Sequence, residues 1–210
     1  MTFILANDVN MSALSTYYYI GNGMTTFNGT LDGNGHAISG LRCPATSGSC
    51  FNGFVSKLGE SGIIKNIVFR NPNLMADEDL ACIVGTSEGL VDNCYVTGGS
   101  LEPYFGGMGA IALNNKGTIN NCYFEHDSIS LYELGMGPTG GLVSYNSGII
   151  TNSFCVITDY FQVGFLSIGG LVGENSGSID NCYVTANIEG SSPDSFGGLV
   201  GYNYTSGIIT

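Results

Sequence analysis

The chain has 210 residues, 43% of them hydrophobic, with 33 glycines and no tryptophan; that is enough for one substantial core or for a stack of repeats. Only 10% of residues are charged, seventeen acidic against five basic, and the formal net charge of −12 argues against phosphate backbones and anionic lipid as partners. Glycine has no period of three, which excludes a collagen-like chain, and no apolar run reaches the roughly eighteen residues of a membrane span.

From the N-terminus, Met1-Thr2-Phe3-Ile4-Leu5-Ala6 lacks the basic start and apolar length of a signal peptide. Residues 1–53 read as an opening or capping coil. FNGTLDGNGHAISGL at 27–41 alternates apolar and polar residues around an Asn-Gly turn. An end coil must differ from internal ones, because an exposed parallel edge invites pairing. His36, in the DGNGH turn, reads as structural. Seven cysteines are present, an odd number. Cys43 and Cys50 bracket the polar loop PATSGS, which a disulfide could close; the other five fall inside repeats and read as buried free thiols. Three N-glycosylation sequons begin at Asn10, Asn28 and Asn203. Together with the cysteines they point towards an extracellular or cell-surface chain.

From residue 54 to 210 the chain repeats. Asn66, Asn93, Asn121, Asn152 and Asn181 are spaced by 27, 28, 31 and 29 residues. A glycine stands four positions before each (Gly62, Gly89, Gly117, Gly148, Gly177), and Gly207 is next in line. An apolar pair precedes the glycine, as in Ile83-Val84, Leu142-Val143 and Leu171-Val172. A further apolar column (Ile64, Val91, Ile119, Ile150, Ile179, Ile209) lies between Gly and Asn. A fixed period of this length signals a solenoid, propeller or array. The runs between turns are short and β-type, which excludes helical repeats, and a propeller blade needs about 40 residues. The period instead fits one coil of a parallel β-helix with three short strands, each pairing with its equivalent about 4.8 Å along the axis.

This predicts an all-β, parallel β-helix (β-solenoid) of six to seven coils in one continuous unit. The Asn column is expected to form an inward amide ladder at one corner, and the Gly column to supply positive φ at another. Insertions such as KLGE (57–60) and YNYT (202–205), and the variable third side of each coil, are expected as surface loops. Thr210 falls inside a repeat, so the expectation is a fragment of a longer chain or one completed by its neighbours.

GGLVGENSGSIDNCYV at 169–184, with related stretches at 140–155 and 197–210, resembles the GLUG-motif proteins. The resemblance implies a right-handed parallel β-helix and an adhesive, structural or scaffold role. GLUG repeats occur in large secreted or surface-attached chains, including non-catalytic parts of some bacterial IgA-cleaving metallopeptidases. Ser153-Phe154-Cys155 in place of Cys-Tyr-Val, and Ala110-Ile111-Ala112 in place of Gly-Leu-Val, are packing swaps.

Little in the sequence points to catalysis. Adjacent strand residues face opposite ways, so Glu125-His126-Asp127 cannot converge on a metal. There is no HExxH, GxSxG or P-loop, and Asp77-Glu78-Asp79 reads as a solvated loop in preference to a Ca²⁺ site. Thr-x-Thr columns of the ice-binding kind are missing. No cofactor is expected. The remaining candidate is an aromatic column two residues after each Asn: Tyr95, Tyr123, Phe154 and Tyr183, with Val68 in the first copy. Its neighbours on either side are apolar and small enough to pack inside, so parity points the column outward. There it would cover the sheet or offer sugars a platform. The expected function is a non-enzymatic extracellular scaffold, adhesin segment or fibre subunit, self-associating end to end or laterally, or joined to neighbouring domains. The alternative is a carbohydrate-binding module using the aromatic column and variable loops.

Overall fold

The computed structural model describes residues 1–14, 19–21, 25–43, 53–126, 129–130, 137–158, 161–163, 166–190 and 194–210. Every strand pair among them is parallel, and they include no helix. The repeat length sets the register. Val84 lies beside Ala112 and Ala112 beside Val143, while Val91 lies beside Ile119 and Ile119 beside Ile150. The chain is therefore a parallel β-solenoid in which one repeat makes one coil.

One coil shows how the sequence is used. Val84–Ser87 forms the first face, and Glu88-Gly89 turns the chain. Leu90–Thr97 then covers the second and third faces, bent at Asn93. The first face stacks six strands, from Val55–Leu58 to Val200–Asn203, and the second stacks eight, from Thr2–Ile4 to Ile208–Ile209. The opening region belongs to this stack: Thr2 pairs with Thr30, and Thr30 with Ile63.

Three strands per coil proves too few. The variable side carries its own short ladders, such as Asn73–Ala76 beside Ser100–Pro103, and Met108–Gly109 beside Leu80–Ala81. Its backbone groups need partners as much as those of the regular faces. Likewise Lys57 and Leu58, expected in a loop, lie in a strand, and Leu58 is buried.

Apolar columns fill the interior. Ile64, Val91, Ile119, Ile150 and Ile179 are at most 1% exposed, and so are Val55, Val84, Ala112, Val143 and Val172. Phe69, Val96, Phe124 and Cys155 form another buried column. In the first two columns like side chains fall on like at the inter-strand spacing, whereas the third alternates large and small from coil to coil.

The positive φ expected of the glycine column falls on the asparagine column instead. Left-handed backbone falls at the asparagines: φ is 55° at Asn66, 52° at Asn93, 49° at Asn121, 51° at Asn152 and 50° at Asn181. Asparagine tolerates this region better than other residues with a Cβ. Gly62, Gly89, Gly117, Gly148, Gly177 and Gly207 are not among the positive-φ glycines. They are required by close approach between coils. A Cβ on Gly117 would lie 2.1 Å from the Gly89 carbonyl oxygen, and one on Gly148 2.2 Å from that of Gly117.

Candidate functional site

Two files of asparagine amides run along the solenoid. The outer file is the Asn column read from sequence. Asn93 Nδ2 donates to Asn66 Oδ1 (2.9 Å), Asn121 to Asn93 (3.0 Å) and Asn181 to Asn152 (2.7 Å). The file steps sideways once, where Asn152 donates to Asn120 (2.8 Å) and Asn120 to Asp92 (2.7 Å). It starts on Asp32, which accepts from Asn66 Nδ2 (3.0 Å). That bond, the Asn34 N–H and nearby Lys65 hold the Asp32 carboxyl below its ordinary pKa. The column was expected to face inward, but Asn121, Asn152 and Asn181 are exposed. The left-handed corner turns their side chains out.

The inward file is a different set, which sequence reading missed. Asn115 Nδ2 donates to Asn146 Oδ1 (2.8 Å), Asn146 to Asn175 (2.7 Å) and Asn175 to Asn203 (2.8 Å). Asn115, Asn146 and Asn175 are at most 2% exposed. Each stands two residues before the column glycine, and Asn175 Nδ2 also reaches the Gly177 carbonyl (3.3 Å). The N-x-G spacing was the available signal. Below Asn115 the column continues as Ser87. There the file stops: Asn115 Oδ1 and Ser87 Oγ are buried without a hydrogen-bond partner.

The aromatic column stands outward, between the buried columns of Cys94 and Val96 on one coil and Cys122 and Phe124 on the next. Tyr95 and Tyr123 stack with centroids 4.0 Å apart, Tyr123 and Phe154 at 4.8 Å, and Phe154 and Tyr183 at 4.8 Å. The last two pairs are within 10° of parallel. The rings therefore spend their faces on one another and turn edges to solvent. A sugar packs on a ring face, so this column is a poor sugar platform along its length. Burial raises the Tyr95 and Tyr123 pKa values, and the Tyr95 hydroxyl donates to Asn93 Oδ1, tying the column to the outer amide file.

The remaining sequence candidates are structural or separate. His36 Nδ1 lies 3.1 Å from Asp8 Oδ1, which also accepts the Ala37 N–H (3.0 Å). His126 Nε2 meets the Gly99 carbonyl, while Glu125 is exposed and Asp127 lies outside the described residues. Asp79 Oδ1 accepts the Gly107 N–H. Among the described residues no three His, Cys, Asp or Glu side chains converge as a metal site. Cys50 lies outside the described residues, and its expected pairing with Cys43 therefore does too. Cys82, Cys94, Cys122 and Cys155 are buried free thiols, and Cys182 is a half-buried one. Of the sequons, Asn10 and Asn28 are exposed. Asn203 is exposed as well; its Nδ2 donates to the Gly207 carbonyl (3.0 Å) and its Oδ1 accepts from Asn175.

A groove of about 380 Å³ lies on the outer side of the first face. Asn114, Tyr145 and Glu174 follow one another there in register. The turns after that face supply Lys116, Ser147 and Ser176. The turn between Asn203 and Gly207 is two residues longer than its equivalents and folds back. Its Tyr204 Oη donates to Glu174 Oε2 (2.7 Å), while Ser167 Oγ donates to Glu174 Oε1 (2.9 Å). The bond to Glu174 raises the Tyr204 pKa; burial, then the Glu174 charge, raises that of Tyr145.

Residues 166–189 match the GLUG motif. The chain is 35% identical over 102 residues to halomucin of Haloquadratum walsbyi, an alignment that takes in 45% of this chain and 1% of halomucin. In fold it is similar to a Bacteroides ovatus protein provisionally assigned as an immunoglobulin A1 protease. The TM-score is 0.58 at 19% identity, over 100% of this chain and 77% of the other.

Proposed function

We propose that this chain is a non-enzymatic β-solenoid segment of an extracellular, surface-associated protein, acting as a rigid scaffold or adhesion module. The observation that carries this reading is the continuity of the stack. Apolar columns bind each coil to the next, and two amide files and an aromatic column reinforce them over most of the repeats. Bending or stretching such a stack breaks several ladders together. The GLUG motif and the similarity to a small part of a very long protein, halomucin, support a role as one piece of a larger assembly. Neighbouring coils, from the same chain or a second copy, would add to the parallel edges of the outermost strands. Glycans on Asn10 and Asn28 would suit an extracellular setting.

Single-molecule force spectroscopy tests the scaffold. The chain is expected to unravel coil by coil. Each step would release about 28 residues, a contour gain of about 95 Å. Negative-stain microscopy of the purified chain reports whether copies add end to end. Cleavage of a glycan or protein polymer by the purified chain would overturn the non-enzymatic reading.

A further inference from the structure

The outer groove departs from the repeat in ways the solenoid does not need. Thr86 and Asn114 occupy the outward column in the lower coils, but the next coil places Tyr145 there, 38% exposed, and the one after it Glu174. The turn carrying Tyr204 closes one end of the groove. Lys116 stands at the other. Lys57, Lys65 and Arg70 pair with Glu88, Asp32 and Asp8, whereas among the described residues Lys116 has no carboxylate partner. A solvated cation within a chain of net charge −12 is then free to meet an incoming anion.

We propose that this groove binds a saccharide whose pyranose units carry a carboxylate. The lining supplies each contact that such a ligand requires. Tyr145 offers an aromatic surface to the C–H face of a sugar ring, as the stacked outer column cannot. Lys116 is placed for the carboxylate. The Asn114 amide and the Ser147 and Ser176 hydroxyls are short, neutral groups suited to sugar hydroxyls. Glu174 is oriented by Tyr204 and Ser167 and keeps acceptor capacity on both oxygens. Rungs repeat about every 4.8 Å, close to the length of one pyranose unit, so Asn114, Tyr145 and Glu174 can address successive sugars along the axis. A polyphosphate fits poorly, since it has no C–H face to lay on Tyr145. A hydrophobic peptide fits poorly too, because the tyrosines are the only hydrophobic residues in the lining. This site is additional to the scaffold reading, and either can fail without the other.

The test is titration of the full chain with an oligogalacturonate and with the same oligosaccharide reduced at its carboxylates, by calorimetry and saturation-transfer NMR. The expected result is saturable binding of the acidic form, weakened at least about tenfold by carboxyl reduction and to the same extent by Lys116→Gln, the loss expected for one charge-assisted hydrogen bond. Tyr145→Ala should weaken both forms. Tyr183→Ala, in the separate aromatic column, should change neither. Thermal melting of each variant shows that the fold is retained. The proposal is overturned if wild type gives neither heat nor saturation transfer with either sugar, or if Tyr145→Ala binds like wild type. Equal binding of the reduced sugar, with Lys116→Gln unaffected, overturns the acidic specificity.

Discussion

Asn146 is the sharpest place to test the inner amide file. It donates to Asn175 Oδ1 at 2.7 Å and accepts from Asn115 Nδ2 at 2.8 Å, with 2% of its surface exposed. Asn146→Leu roughly conserves volume and removes both bonds. Asn175 Oδ1 then has no donor from this file, and Asn115 Nδ2 keeps only long contacts to the Gly117 (3.4 Å) and Ile149 (3.3 Å) carbonyls. Each buried polar atom left without a partner costs about 1–3 kcal/mol, so the expected loss is about 4 kcal/mol. For a chain of this size that lowers Tm by about 8–16 °C, measured by circular dichroism. Asn203→Leu leaves only Asn175 Nδ2 short of a partner, with the Gly177 carbonyl (3.3 Å) still in reach at the end of the file, so it should cost about 2 kcal/mol. Asn146→Asp adds a pH signature. An ionised carboxylate cannot donate to Asn175 Oδ1, while the neutral acid can, so burial and that bond raise its folded-state pKa. The variant's deficit against wild type should be smallest below the ordinary carboxyl pKa and grow as pH rises through the raised value. A melt of Asn146→Leu within about 2 °C of wild type, or an equal loss in Asn203→Leu, would refute the reasoning.

Other outcomes follow from the same geometry. Ser87→Asn should extend the inner file by one rung, meet the unpartnered Asn115 Oδ1 and raise stability by about 1 kcal/mol in denaturant titration; unchanged or lowered stability would count against a vacant acceptor there. Gly117→Ala places a Cβ 2.1 Å from the Gly89 oxygen and 2.6 Å from Glu88 backbone atoms, so it should cost about 2 kcal/mol or more, whereas Gly198→Ala meets nothing within 4 Å and should stay within about 0.5 kcal/mol of wild type. At Asn121, with φ of 49°, the Gly variant should be more stable than the Ala variant by about 1 kcal/mol, the reverse of their usual order in regular structure. Burial pushes the thiol pKa values of Cys82, Cys94 and Cys155 well above the ordinary thiol range. Their contribution is intact below pH 9. Above it the unfolded thiols ionise first, and stability should fall by up to about 4 kcal/mol per pH unit, a slope that Cys→Ala or Cys→Val variants should flatten.

The solenoid was legible because its period equals its circumference. Ile64, Val91, Ile119, Ile150 and Ile179 recur at that period in sequence and lie side by side in space. The inner amide file was hidden by its own motif. Asn-x-Gly is also a turn signal, and Asn115, Asn146 and Asn175 compete with the longer column at Asn66, Asn93, Asn121, Asn152 and Asn181. Parity could have separated them: each ends a strand whose penultimate residue (Asn114, Tyr145, Glu174) faces out. The error over the glycines has a similar origin. A repeated glycine can mean positive φ or close backbone approach, and only the neighbouring coil tells them apart. The short ladders of the variable side, two to four residues each, carry no periodicity to read. The groove depends on how far Tyr204 folds back, which is set by contact with Glu174 and not by local sequence.

The two amide files point in opposite senses. Outer donors sit on the later coil and reach back, as Asn93 does to Asn66, whereas inner donors sit on the earlier coil and reach forward, as Asn115 does to Asn146. An amide group carries a dipole of roughly 3.5 D, and a single file of them would build polarity with every layer added. Where both files run, from the layer of Asn115 and Asn121 to that of Asn175 and Asn181, each layer contributes one dipole in either sense, and the pair cancels along the long direction. A column paired in this way can be lengthened without its amides building polarity at the tips.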